Sequence, residues 1–146
     1  MKKVIVLIAL IVAMVNGVNS SNAQSNNPVE STTAWYGQQS ASLTIKNKSG
    51  YTMTIKLMNA VTDSHYQTIY ISSYSERTVY FSTSGSYYIK MKAEKGLETM
   101  YKKDSPFSIQ CDDRGYSQAT IEYYVSSNGG SNAGRSISKA EFERNY

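Results

Sequence analysis

Reactive and cross-linking residues are scarce in this chain. Cys111 is its only cysteine and His65 its only histidine, beside two prolines, one tryptophan and three phenylalanines. A single thiol excludes an intramolecular disulfide, so stability rests on packing. A single imidazole has no partner for HxxxH ligation. Its polar setting before an apolar alternation suits a solvated edge residue better than a general base. Cys111 shares alternation with Phe107 and Ile109 and reads as a small buried hydrophobe rather than half of a thiol dyad with His65. No phosphate loop follows a strand, and neither GxSxG nor Cys/His metal spacing occurs. Asp112 and Asp113 are adjacent instead of alternating, which suits a capped turn better than a calcium loop. The expectation is a protein that is not an enzyme and needs no cofactor and no metal. A hydrolase with dispersed carboxylates is the weaker alternative, because such pairs are distant in sequence.

Apolar runs are short as well. The longest, Val4 to Val15, follows Lys2 and Lys3 and precedes Asn16-Gly17 and the small polar stretch ending Ser21-Asn22-Ala23. Twelve apolar residues are too few to span a bilayer comfortably. A basic start, a short apolar core and small residues at −3 and −1 describe a secretory signal peptide, residues 1–23, with Gly17 as the other cleavage point. No cysteine is present there to carry a lipid. The segment resembles signal peptides of Gram-negative bacteria, which implies the periplasm, the cell surface or the medium, with no membrane insertion after cleavage. Losing Lys2 and Lys3 takes the formal charge from +4 to +2. That weak balance argues against nucleic acid as a partner.

What the chain has in quantity is tyrosine, 13 residues, all beyond position 23. Tyrosine favours strands and sits well at a core rim. Residues 78–95 set the pattern: Val79 and Phe81 alternate with Thr78 and Tyr80. After a Ser/Gly turn, Tyr87, Ile89, Met91 and Ala93 alternate with Tyr88, Lys90 and Lys92. Two such runs around a turn predict a β-hairpin. A first hairpin is expected from Leu43/Ile45 and Tyr51/Met53/Ile55/Leu57 around Asn47-Lys48-Ser49-Gly50, where Gly50 is free to take a positive φ. Asn47-Lys48-Ser49 is also a glycosylation triplet, a reading the turn outweighs. Further strands are expected at Tyr66–Ser72, with Ile69 and Ile71 inward and Tyr66 and Tyr70 outward, or the reverse set if the strand lies at an edge, from Pro106 through Cys111, and at Ala119–Val125. Gly96–Lys103 is less regular. The fold class is therefore all-β, an antiparallel two-sheet sandwich of six or seven strands, Ig-like or transthyretin-like. Residues 24–40 read as a polar lead in which Trp35 and Tyr36 dock, residues 41–127 as the sandwich, and residues 128–146 as a Gly/Ser/Asn linker and a short segment. Ser138-Lys139-Ala140-Glu141 has capping-box spacing and predicts a helix start.

Lysines gather between tyrosines at 88–103, giving Tyr88, Lys90, Lys92 and Tyr101 as candidate ligand-binding residues, with Tyr80 and Tyr124 as further outward tyrosines. An acidic polymer or sugar ring suits such a face; solvated lysines that keep an edge from pairing, or Tyr pairs that only stabilise the sheet, explain the same residues. The expected function is a secreted, non-enzymatic binding module for a glycan or protein partner at the cell surface. The alternative is a structural or assembly subunit of an envelope complex that docks through its C-terminal segment. The chain resembles the many small exported bacterial β-sandwiches, which says little about function.

Overall fold

The structure, a computed structural model, describes residues 4–15, 40–126 and 134–145. The strands in chain order are β1 (Val4–Val15), β2 (Ala41–Asn47), β3 (Thr52–Asn59), β4 (His65–Ile71), β5 (Glu76–Phe81) and β6 (Gly85–Lys95). They continue with β7 (Glu98–Lys103), β8 (Phe107–Ile109), β9 (Cys111–Asp112), β10 (Gly115–Ser126) and β11 (Arg135–Ser136), and one helix follows, α1 (Lys139–Glu143). Trp35 and Tyr36, with nearly all of the expected lead, lie outside the described residues, as do residue 127 and residues 128–133 of the linker.

Two sheets pack face to face, as the alternation predicts. Sheet A has the order β1-β10-β2-β5, with β9 beside β10. Sheet B has the order β11-β7-β6-β3-β4, with β8 beside β6. Their inner faces meet in one cluster that includes Leu43, Ile45, Met53, Ile55, Leu57, Val79, Phe81, Ile89, Met91, Ile121 and Tyr123. Each fully buried aliphatic side chain of this kind contributes about 1.5–3 kcal/mol. Among the described residues the sandwich is drawn by eleven strand segments, where the alternation marked six or seven. The additions are β1, a well-formed β7, the two-residue β11, and β9, which a break at Gln110 separates from β8 so that the Pro106–Cys111 strand is divided between the sheets. All pairings are antiparallel except β2 with β10, which is parallel.

Neither expected hairpin is one. β2 pairs with β5 and β10, while β3 pairs with β4 and β6, so the Asn47–Gly50 turn carries the chain from one sheet to the other. Ser82–Ser84 does the same between β5 and β6. The inward residues face one core in either arrangement, which is why alternation alone cannot separate a hairpin from a sheet-to-sheet arch. Asn47 explains the first arch. Its side chain is buried, donating from Nδ2 to the carbonyls of Tyr51 (2.6 Å) and Ser72 (3.0 Å) and accepting from Ser49 N (3.0 Å) and Oγ (2.7 Å). Such a residue is closed to a glycan. Gly50 is not among the positive-φ positions, which are Asp63, Tyr74, Gly96 and Gly115. The hairpins are β3–β4, β6–β7 with Gly96 in its turn, and β9–β10 around Asp113-Arg114.

A register shift between Leu57 and Met58 leaves Tyr66 as an extra residue on β4. Such a bulge re-aims a side chain. Tyr70 points outward as expected, but Tyr66 stacks on Phe81 (centroids 5.7 Å) and meets Tyr87 edge-on (5.1 Å).

Candidate functional site

The six candidate residues do not share one surface. Tyr80 and Tyr124 lie on the outer face of sheet A. Tyr80 pairs with Ser42, which pairs with Gln118, six residues from Tyr124 along β10. At strand rise that is about 20 Å. Tyr88, Lys90, Lys92 and Tyr101 lie together on the outer face of sheet B, on β6 and β7.

On that face the register sets three lysines side by side, Lys56 on β3, Lys90 on β6 and Lys103 on β7. Like charges directly opposite one another destabilise a sheet unless something answers them. The C-terminal segment does. Residues Arg135 and Ser136 add to the edge of β7, and Ile137 N donates to Tyr101 O (3.1 Å). Ser138 caps α1 by accepting from Glu141 N (3.1 Å), at the expected helix start. The helix then ends over the lysine row. Lys90 Nζ donates to the carbonyls of Glu141 (3.0 Å) and Arg144 (3.1 Å). Lys56 Nζ donates to Glu143 O (3.5 Å) and Asn145 Oδ1 (2.8 Å). The carbonyls closing a helix have no intrahelical partner and carry partial negative charge, so they readily accept from cationic donors.

Aromatic rings complete the contact. Phe142, buried, packs on Tyr101 (5.5 Å) and beneath Lys56 Nζ (4.8 Å). Lys103 Nζ sits 4.2 Å over the Tyr88 ring, and the Tyr88 hydroxyl donates to the Asp63 carboxylate. Asp63 has φ of 56°, a left-handed conformation that aspartate tolerates. Burial lowers the Lys90 pKa from its ordinary value, with Asp63 and Glu141 pulling it back up and Lys103 and Lys56 pushing it down. Lys56 is lowered by burial too, opposed by Glu143. Lys92 is set apart, bound to Glu94 Oε2 at 3.0 Å.

The covering segment explains why both faces of β6 are buried from Tyr87 to Met91, where alternation predicts one. Tyr88 and Lys90 are each 3 % exposed. Pattern reading named Tyr88, Lys90, Lys92 and Tyr101 and counted Lys103 in the same lysine cluster, but it did not single out Lys56 or Asp63. Lys56 was legible as an outward lysine of β3; its place beside Lys90 required the register.

The entry of the segment is fixed at Asp104. Its backbone N donates to Ile89 O (2.9 Å), and its carboxylate accepts from the buried Tyr123 hydroxyl (2.5 Å) and from Gly134 N. Burial raises the Asp104 pKa, partly offset by those two bonds and Lys102. Burial, with Asp104 beside it, holds the Tyr123 phenol well above its usual range. Gly134 is needed there, since a Cβ would collide with the Lys103 carbonyl.

The residues considered for chemistry are dispersed. His65 is exposed and bonded to Thr68 Oγ1 (2.8 Å), and Cys111 is partly buried against the core. Asp112 Oδ1 accepts from Arg114 N (2.9 Å) in its turn, and its pKa is lowered by Gln110 and by that bond. No group of three or more metal-ligating side chains occurs among the described residues. Compared with known proteins, the chain matches no family model, no curated protein and no solved structure.

Proposed function

We propose that this protein is an exported, non-enzymatic interaction module whose outer sheet-B face receives the end of a polypeptide helix. The observation that carries this reading is the lysine row Lys56–Lys90–Lys103, whose first two members donate to main-chain carbonyls closing α1. A partner with an aromatic residue in the last turn of a helix meets the same rings and cations. The protein's own C-terminal segment then acts as a resident ligand that a partner displaces. The separation of Tyr80 and Tyr124 from the other four candidates favours a protein partner over a glycan, which needs adjoining rings. The assembly-subunit reading uses the same contacts with the segment seated on a neighbouring molecule.

The test uses a chain ending at Ser126 and a synthetic peptide of residues 134–146. Calorimetry is expected to show saturable one-to-one binding. Lys90→Ala in the shortened chain is expected to weaken binding about 10- to 100-fold, because it removes two charge-assisted bonds. A folded shortened chain that ignores the peptide would refute the reading. The assembly alternative predicts that the shortened chain no longer forms a complex that the full chain forms.

A further inference from the structure

The remaining unexplained feature is the side of β10 turned away from β2. Lys48 N donates to Tyr123 O on the β2 side (2.7 Å), and Ser117 N donates to Gln110 O (2.8 Å). In a strand, successive residues turn their backbone groups to opposite sides. Gln118, Thr120, Glu122 and Tyr124 therefore aim their N–H and C=O groups away from β2. In the full chain β1 takes up that side, antiparallel from Val4 opposite Ser126 to Val15 opposite Tyr116. The β1 residues are those read as the apolar core of the leader, so export with cleavage strips β10 of its partner.

Strands meant to stand at an edge carry lysine, proline or clustered charge. β5, at the other end of sheet A, has Glu76 and Arg77. β10 has no lysine and no proline, and Glu122 is its only charge. Its sequence is that of an interior strand.

We infer that in the leaderless protein β10 pairs antiparallel with β10 of a second copy, joining two sheets A across a two-fold axis. Centred on Ile121, this pairing sets Thr120 opposite the partner's Glu122 and Gln118 opposite the partner's Tyr124. Both are hydrogen-bonded pairs by the backbone directions above, and no like charges meet. On the inner side the small Ala119 falls opposite the large Tyr123 of the other copy. A two-residue shift to a centre at Glu122 would bring two carboxylates together, so charge disfavours that register. Two-fold self-pairing also uses one strand as both donor and receiver, the simplest closed symmetry.

The inference rests on loss of residues 1–23, a part of the export reading. Producing residues 24–146 directly separates the two, and N-terminal sequencing of the exported protein tests cleavage independently. Light scattering across micromolar concentrations is expected to give a dimer for residues 24–146 and a monomer for the full chain. Hydrogen exchange is expected to show the Thr120 and Glu122 amides protected in the dimer and progressively less so on dilution. Thr120→Pro, which removes only an outward-facing N–H, is expected to give a folded monomer by circular dichroism. A folded monomer of residues 24–146 with rapidly exchanging Thr120 and Glu122 amides would overturn the inference. So would protection that appears only on adding a Val4–Val15 peptide, or an unfolded 24–146 chain, which would make β1 a permanent strand.

Discussion

Asp104 shows how one residue ties the core to the surface segment. It accepts from Tyr123 at the centre of the sandwich and from Gly134 where the C-terminal segment arrives. Because its pKa is raised in the folded protein, the protonated form is favoured there. The stability it contributes is fully present below the ordinary carboxyl range and is lost as pH rises through the raised value. Asparagine keeps an acceptor and carries no charge. Asp104→Asn is therefore expected to gain on the parent protein in chemical denaturation as pH is taken from 3 to 7. A parent that gains on the variant over that interval would contradict this assignment. Nothing in the sequence distinguishes Asp104 from the other acids. Its burial follows from where β7 stops and β10 passes beneath, a long-range coincidence no local pattern carries.

Elements were legible to different depths for a physical reason. Two-residue alternation reports which face of a strand is apolar, and that much holds for β2, β3, β5, β6 and β10. It is silent on whether the next strand lies alongside or across the core, and both expected hairpins, at Asn47–Gly50 and Ser82–Ser86, are arches. The bulge at Tyr66 likewise has no glycine or proline to announce it. The helix was readable because Ser138 and Glu141 carry the capping signal themselves. Gly134 was read only as part of a flexible linker, yet its lack of a side chain lets the segment approach β7. Gly134→Ala is expected to leave the sandwich folded while releasing the C-terminal segment, seen as faster amide exchange at Ile137 and Phe142. Unchanged protection at both amides would show that the approach is not tight.

At the scale of the whole molecule, the sandwich has two outer surfaces of different character. On sheet A the outward side chains of β2, β5 and β10 are mostly polar, with Thr44 bonded to Thr78 (2.9 Å) and Lys46 near Glu76 and Glu122. Exposed pairs of that kind add little stability. Sheet B instead concentrates three lysines in one row and closes them with carbonyls and rings from its own chain. A row of adjacent cations is a poor choice for a face meant only for water, and this is the reason for reading it as a docking surface. The claim that the C-terminal segment seals this face is tested most directly by lysine acetylation read residue by residue. In the full chain Lys90 should react far more slowly than the exposed Lys48, and in a chain ending at Ser126 the two rates should converge. Equal rates in the full chain, or a Lys90 that stays protected after the segment is removed, would contradict the account.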